Sequence, residues 1–141
     1  MRNMTGGIGK SFLLDMPVIP EPRGNLIFIE ARRHVPFAIE RIYYLYDVPS
    51  GATRAGHAHK TLEQVLIAIS GSFTVIIDDG ARSEHFLLNR PHVGLYIGPM
   101  LWRVIENFSS NAVCLALASK PFEEADYYRS YEIFKQAVGK T

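Results

Sequence analysis

The sequence predicts a mostly β fold that ends in one α-helix. From residue 26 onward, short runs rich in Val, Ile, Leu, Phe and Tyr alternate with turn residues, and this spacing is typical of a sandwich or barrel. The pair Asp79-Gly80 follows one such run and favours a tight hairpin, because both residues tolerate positive φ. We assign strands to residues 26–30, 39–46, 64–70, 73–78, 85–88, 94–97, 103–106 and 113–118.

The last part of the chain has helical spacing instead. Tyr127, Tyr131 and Phe134 recur at helical intervals, with acidic residues first and Lys135 near the end, as the helix dipole prefers. We therefore predict a helix over residues 123–137. The chain of 141 residues fits one domain, 1–141, with a single core. Residues 1–22 precede the first assigned strand and form an N-terminal arm.

Composition argues against several classes of function. The formal net charge is +1 and the basic residues are scattered, so the chain lacks the footprint of a nucleic-acid-binding protein, although convergent arginines would serve a small anion. No signal-like segment opens the chain, and no apolar run reaches the roughly 18 residues that span a bilayer. We interpret the single cysteine, Cys114, as a core residue of an apolar strand. We expect a cytoplasmic protein with neither membrane nor nucleic-acid partners.

Two histidines form the most informative pattern. His57 and His59 follow a loop that begins at Gly51, and residues two apart on a strand share a face. The two imidazoles should therefore converge, with Ala58 facing the other way. Such a pair can bind a metal, exchange protons or be satisfied within the core. Its position after a glycine-bearing loop favours a functional role.

This segment resembles the first motif of the cupin superfamily, in which a glycine, five residues and His-x-His precede a glutamate and a later glycine. Gly51 and Gly71 fit that motif, which puts Gln64 at the glutamate position, whereas Glu63 fits only a shorter spacing. The resemblance implies a jelly-roll barrel or sandwich, so the expected fold is a cupin with one C-terminal helix.

The second cupin motif lacks its usual histidine. Arg103 stands at that position, and arginine is a permanent cation with no lone pair to give a metal. With Gln64 at the glutamate position, only His57 and His59 remain of four expected ligands. We therefore expect neither a metal nor another cofactor, which leaves the histidines to transfer protons.

Most of the chain, from about residue 23 to 134, resembles the dTDP-sugar 3,4-ketoisomerases. The resemblance rests on RGNL at 23–26, PFAIERIYY at 36–44, RAGHAHK at 54–60, LEQVL at 62–66, VGLYIGP at 93–99 and EADYYRSY at 124–131. It implies that dTDP-4-keto-6-deoxy-D-glucose becomes a 3-keto-6-deoxyhexose for aminated sugars of bacterial glycans, such as lipopolysaccharide or S-layer glycans. It also implies a homodimer that exchanges N-terminal strands. Ala55 replaces a glycine usual in the family, a change to which we assign little chemical meaning.

The family implicates two histidines and a tyrosine, which fall on His57, His59 and Tyr43. Histidine has an ordinary pKa of about 6.5, which suits a base that removes the C3 proton to give an enediolate. We assign His59 as this base and His57 as its relay, although the roles could be exchanged. The phenol of Tyr43 would donate to the developing oxyanion or shuttle the hydroxyl proton. We expect the gluco product, because Arg103 replaces a histidine carried by some members and so alters the pocket.

The diphosphate of such a substrate needs cations. Arg23, Arg41 and Arg54 are the candidates, since all three lie in family motifs, whereas Arg32, Arg33 and Lys60 fit ordinary surface charges. The predicted substrate site also includes Gln64, Tyr96, Trp102 and Arg103. Tyr96 and Trp102 could equally be core residues.

Other functions stay open at this point. An epimerase of the same fold would commonly support its histidine with a carboxylate, and the sequence shows no obvious Asp partner for His57 or His59. A cupin that only binds or senses a small anion is a second alternative, and a metal-dependent oxygenase or isomerase is a third.

Overall fold

The computed structural model describes residues 3–6 and 10–139. Within these ranges the chain forms thirteen strands, a single turn of 3-10 helix at Glu124–Asp126 and one α-helix, α1, at Tyr131–Val138. The strands are β1 Asn3–Gly6, β2 Ser11–Asp15, β3 Val18–Ile19, β4 Leu26–Ile27, β5 Arg41–Leu45, β6 Arg54–His59, β7 Gln64–Ser70, β8 Phe73–Asp78, β9 Ser83–Leu88, β10 Val93–Ile97, β11 Trp102–Glu106, β12 Val113–Ala118 and β13 Tyr127–Tyr128.

Two antiparallel sheets build the domain. The larger sheet has six strands in the order β1-β2-β10-β7-β12-β5, and the smaller has five in the order β13-β6-β11-β8-β9. Strands β3 and β4 form a separate two-stranded ribbon. The Asp79-Gly80 turn joins β8 to β9, which pair antiparallel as the hairpin signal predicts.

The main core lies between the two sheets. Strand β8 alternates strictly, so Phe73, Val75 and Ile77 are fully buried and meet Leu66 and Leu95 of the larger sheet. The larger sheet is also covered on its outer face by a second cluster of buried side chains, the outer core cluster, which consists of Leu14, Met16, Val35, Phe37, Val65, Ile67, Tyr96 and Leu117. Because both faces of β7 are covered, this strand is an almost continuous apolar run.

The predicted mostly β fold with one helix near the C-terminus is confirmed, but the helix boundaries were wrong. The helix begins at Tyr131, where the Ser130 hydroxyl caps it by accepting a hydrogen bond from the Ile133 N–H at 3.3 Å. Before it, Tyr127 pairs with His59 as part of β13. Strand pairing therefore overrides the helical spacing of the tyrosines. Neither described helix is long and apolar enough to cross a membrane.

The arm over residues 1–22 contains strands that the sequence pattern missed. Strand β2 pairs with β10 of the same chain, from Ser11 opposite Ile97 to Asp15 opposite Val93. Exchange of this arm between two copies stays a prediction.

Candidate active site

A bulge in strand β6 aims the two histidines. His57 faces Arg103 across the ladder and Ala55 faces Val104, so Gly56 is the extra residue. Ala55 and Gly56 both have left-handed backbones, with φ of 72° and 75°. The bulge brings the imidazoles of His57 and His59 together, with ring centroids 4.9 Å apart.

A cavity of about 400 Å³ opens beside the histidine pair. Its walls come from strands of both sheets and from the segment that precedes helix α1. The lining residues are Arg41, Tyr43, Leu45, Arg54, Ala55, His57, Ile105, Tyr127 and Arg129.

The two histidines occupy different positions relative to the cavity. His57 is half-buried and lines it, whereas His59 is 0% exposed and does not. The ring of Tyr127 packs on both imidazoles, at 5.0 Å from His57 and 4.3 Å from His59. His57 is therefore the histidine that a molecule in the cavity would touch, and this geometry favours exchanging the two predicted roles.

A carboxylate stands next to the inner histidine. Oδ2 of Asp126 lies 3.6 Å from Nδ1 of His59. The same carboxylate accepts hydrogen bonds from the N–H and hydroxyl of Thr61 at 3.0 and 2.6 Å and from the Leu62 N–H at 3.1 Å. The sequence showed no obvious Asp beside the histidines, because Asp126 is distant in sequence and was placed on the predicted helix.

Burial keeps both imidazoles neutral. It lowers the pKa of His57 to about 3 and that of His59 to about 2, and the nearby Arg103 cation adds to both effects. A hydrogen bond with the backbone of Ala55 opposes the shift at His57. Both nitrogens of His59 are buried and have no hydrogen-bond partner among the described residues.

Three side chains form one hydrogen-bonded row that runs from the cavity wall into the core; Tyr43 is half-buried, and Gln64 and Arg103 are buried. Arg103 donates to Oε1 of Gln64 at 2.8 Å, and Gln64 donates from Nε2 to the Tyr43 hydroxyl at 2.7 Å. Arg103 also donates to the Leu101 carbonyl at 3.1 Å. Only Tyr43 of the three lines the cavity, so Gln64 and Arg103, predicted to touch a substrate, stand behind it instead.

Three guanidinium groups line the cavity. Arg41 and Arg54 are two of the predicted cations, and Nε of Arg41 is buried without a partner among the described residues. The third, Arg129, was missed. It lies over the Tyr127 ring at 4.1 Å and donates two hydrogen bonds to Glu124 at 2.6 and 3.0 Å. The motif at 124–131 contained both Tyr127 and Arg129, but assigning it to a helix obscured their convergence on the histidines.

Three predicted site residues lie elsewhere. Arg23 is exposed and pairs with Glu21. Tyr96 belongs to the outer core cluster, where its hydroxyl donates to Glu63 at 2.6 Å. Trp102 packs against Tyr131 and Phe134 of helix α1, so it anchors that helix.

The donor set at the histidine pair is poor for a metal. The oxygen of Gln64 is already engaged by the Arg103 guanidinium, which places a positive charge where a cation would bind. Among residues 3–6 and 10–139, no cluster of three or more His, Cys, Asp and Glu side chains could hold a metal ion.

Comparison with known proteins gives a consistent group of relatives. The family model described as "FdtA: WxcM-like, C-terminal" matches residues 10–139. A TDP-4-oxo-6-deoxy-alpha-D-glucose-3,4-oxoisomerase from Aneurinibacillus thermoaerophilus is 42% identical over 128 residues, which cover 91% of this chain and 92% of the relative.

Two solved structures from Campylobacter jejuni also match. A TDP-quinovose 3,4-ketoisomerase has a TM-score of 0.88 at 45% identity, covering 92% of this chain and 99% of the other. A TDP-fucose 3,4-ketoisomerase has a TM-score of 0.87 at 30% identity, covering 92% and 96%.

Proposed function

Since the chain belongs to the FdtA, WxcM-like C-terminal family of TDP-sugar 3,4-ketoisomerases, and is therefore an isomerase, we propose that it converts TDP-4-keto-6-deoxy-D-glucose to the 3-keto isomer without a metal. The observation that carries this proposal is the position of His57 and Tyr43 on the wall of one cavity that three arginines also line. The cavity thus combines a neutral base, a phenol and cations for a diphosphate.

His57 is the proposed base. The C4 carbonyl acidifies the C3–H bond, so the imidazole removes that proton and leaves an enediolate. The proton of the C3 hydroxyl then moves to the C4 oxygen. Carbon C4 receives a proton, which leaves the carbonyl at C3. No atom is gained or lost. Tyr43 stabilises the developing oxyanion by donating its phenol proton as a hydrogen bond.

The low pKa of His57 fits this role once the substrate charge is counted. In the free protein, cations around the cavity help to keep the imidazole neutral and able to accept a proton. A diphosphate bound to Arg41, Arg54 and Arg129 would offset those cations, which would raise the basicity of His57 when the substrate is present. His59 supports His57 from behind, with Asp126 next to its Nδ1.

The gluco product remains our proposal for the C4 configuration. Quinovose is 6-deoxyglucose and fucose is 6-deoxygalactose, and the chain is 45% identical to the TDP-quinovose enzyme against 30% to the TDP-fucose enzyme. A gluco product requires that C4 be protonated from the ring face opposite the one that lost the C3 proton. Arg103 keeps its proton near neutral pH, since burial lowers its pKa only to about 10, so a held water is the better donor.

The test is a conversion followed by proton NMR in deuterium oxide, with chelator-treated protein and TDP-4-keto-6-deoxy-D-glucose. We expect the C3 signal to disappear, a 3-keto product to form, and deuterium at C4 in the gluco configuration. A galacto product would reject the stereochemical proposal alone. Conversion that required added metal would reject the metal-free mechanism, and absence of both exchange and product would reject the substrate.

We also propose that the enzyme is a homodimer. Strand β5 is an edge of the larger sheet, and its outward residues Ile42 and Tyr44, together with Tyr46 just after the strand, are 59%, 60% and 61% exposed. Such an apolar stripe supports contact with a second copy. Sedimentation should give a dimer that Tyr44→Glu converts to a monomer. The matched control, Leu87→Glu, changes an equally exposed residue of the smaller sheet and should stay dimeric.

A cytoplasmic location and a role in glycan synthesis remain proposals as well. The buried, unpaired Cys114 is compatible with a reducing compartment. A 3-keto sugar is a substrate for amination, which fits a supply of aminated sugars for bacterial glycans.

A further inference from the structure

The row formed by Arg103, Gln64 and Tyr43 has a fixed chemical direction. A guanidinium carries only N–H donors, so Gln64 must turn its amide oxygen toward Arg103. The amide nitrogen then faces Tyr43 and donates to the phenol oxygen at 2.7 Å. Arg103 and Gln64 are each 1% exposed, so water does not compete for these bonds.

This direction determines where the phenol proton can point. Because the Tyr43 oxygen accepts from Gln64, its own proton must be donated elsewhere. The structure records no acceptor for it among the described residues, and Tyr43 lines the cavity. Burial raises the pKa of Tyr43 above its ordinary value, so the phenol retains that proton at neutral pH.

We propose that Gln64 is a positioning residue which, held in one amide orientation by Arg103, presents the Tyr43 proton to a developing oxyanion in the cavity. This inference rests on the proposed function and extends it, because Gln64 acts through Tyr43 and does not touch the substrate. A glutamate at this position, as in the cupin motif, would accept the phenol proton and turn it away from the cavity.

The test variant is Gln64→Glu, which keeps the side-chain shape but replaces the donor with a carboxylate. We expect kcat to fall on the order of 100-fold, as expected for loss of one oxyanion donor, with KM nearly unchanged. Tyr43→Phe should cause a similar loss. The double variant should be no slower than Tyr43→Phe alone, because both changes remove the same hydrogen bond. The matched control is Gln136→Glu, the same charge change at an exposed residue of helix α1.

A readout independent of turnover separates this inference from the proposed function. In protein labelled at tyrosine Cζ, Gln64→Glu should raise the pKa of Tyr43, because the phenolate loses a donor and gains a neighbouring negative charge, and Gln136→Glu should not. An active wild type whose Gln64→Glu variant keeps its kcat, or whose losses in the double variant are additive, would overturn the inference. A wild type that converts no substrate, with the Tyr43 response intact, would reject the proposed function and leave only the hydrogen-bond assignment.

Discussion

The Nδ1 atom of His59 lies 3.6 Å from Oδ2 of Asp126, and this relationship links the C-terminal segment to strand β6, which carries the histidine pair. Asp126 also binds the backbone of Thr61 and Leu62, the residues that follow β6. Strand β13 continues the link by pairing Tyr127 with His59. The segment before helix α1 therefore fixes the end of β6 and closes one side of the cavity.

Replacing Asp126 with Asn should weaken this link. One carboxylate oxygen would become an NH₂ group facing N–H or O–H donors, so we expect the free energy of unfolding to fall by about 1–3 kcal/mol. Urea unfolding measures the change. The matched control is Asp47→Asn, at an exposed residue with φ of 54°, a conformation that asparagine also tolerates. Equal stability of the two variants would show that the Asp126 contacts contribute little.

The backbone of Ala55 is strained, which the sequence alone did not reveal. A side chain with φ of 72° is strained by about 1–2 kcal/mol, and glycine removes that strain. Ala55→Gly should therefore raise the free energy of unfolding by about 1 kcal/mol, measured by the same denaturant method.

The control for Ala55→Gly is Ala52→Gly in the preceding loop. Ala52 is not among the residues with positive φ, so glycine there should lower stability by increasing the freedom of the unfolded chain. Two changes of the same sign would contradict the assignment of strain to Ala55.

Nucleotide binding should depend on Arg129. Arg129→Met removes a charged hydrogen-bond donor from the cavity wall, and we expect TDP affinity to fall on the order of tenfold by calorimetry. Glu124→Gln should have the opposite effect, because its carboxylate competes with the diphosphate for Arg129.

Two exposed arginines are the controls for this experiment. Arg33 pairs with Glu30 and Arg23 pairs with Glu21, and neither lines the cavity. Arg33→Met and Arg23→Met should leave TDP affinity unchanged. If Arg23→Met lowered TDP affinity as much as Arg129→Met, Arg23 would belong to the substrate site after all.

Sequence reasoning located the histidine pair but not the depth of each residue within the fold, and strand β6 was not among the assigned strands. The His-x-His spacing predicted that the imidazoles converge, and the structure brings them together. The same pattern carried no information on which ring would reach the cavity, because that depends on the bulge at Gly56 and on Tyr127 covering His59. Tyr43 and Arg41 are also two apart on one strand, β5, and both line the cavity.

The missed residues belong to the segment whose secondary structure was assigned wrongly. The spacing of Tyr127 and Tyr131 fits a helix as well as it fits a short strand followed by a helix. Pairing with β6 decides between them, and such a long-range contact leaves no local periodicity. Tyr96 illustrates a different difficulty. It lies on a strand that is buried on both faces, and the residue pattern of such a strand does not reveal which face is toward the site.

Stability should fall in acid because of the histidine pair. The pKa values of about 3 for His57 and about 2 for His59 lie below the ordinary value near 6.5, so the unfolded chain binds more protons between these values. The free energy of unfolding should therefore be largest above about pH 6.5 and decrease as pH falls toward 3, by at most about 1.4 kcal/mol per pH unit for each histidine.

Carboxylates add their own pH dependence, so the informative quantity is a difference between variants. His57→Asn should make the slope between about pH 6 and 4 shallower than in the wild type. The control, His85→Asn, removes an exposed histidine of β9 and should retain the wild-type slope. Parallel profiles for wild type and His57→Asn would contradict burial of a neutral His57.

Arg103 should control the protonation of both histidines. Burial is the largest cause of the low pKa values of His57 and His59, and the charge of Arg103 is the second largest. Arg103→Met keeps a side chain of similar length in the core and removes the charge, so both pKa values should rise, as followed by imidazole NMR. Arg82→Met, an exposed change on the turn before β9, is the control and should leave both signals unchanged. The result also bears on the proposed mechanism, in which a more basic His57 would hold the C3 proton more firmly and shift the acid limb of kcat to higher pH. If the histidine pKa values in Arg103→Met equal those of the wild type, burial alone keeps the pair neutral, and the charge of Arg103 acts only through Gln64 and Tyr43.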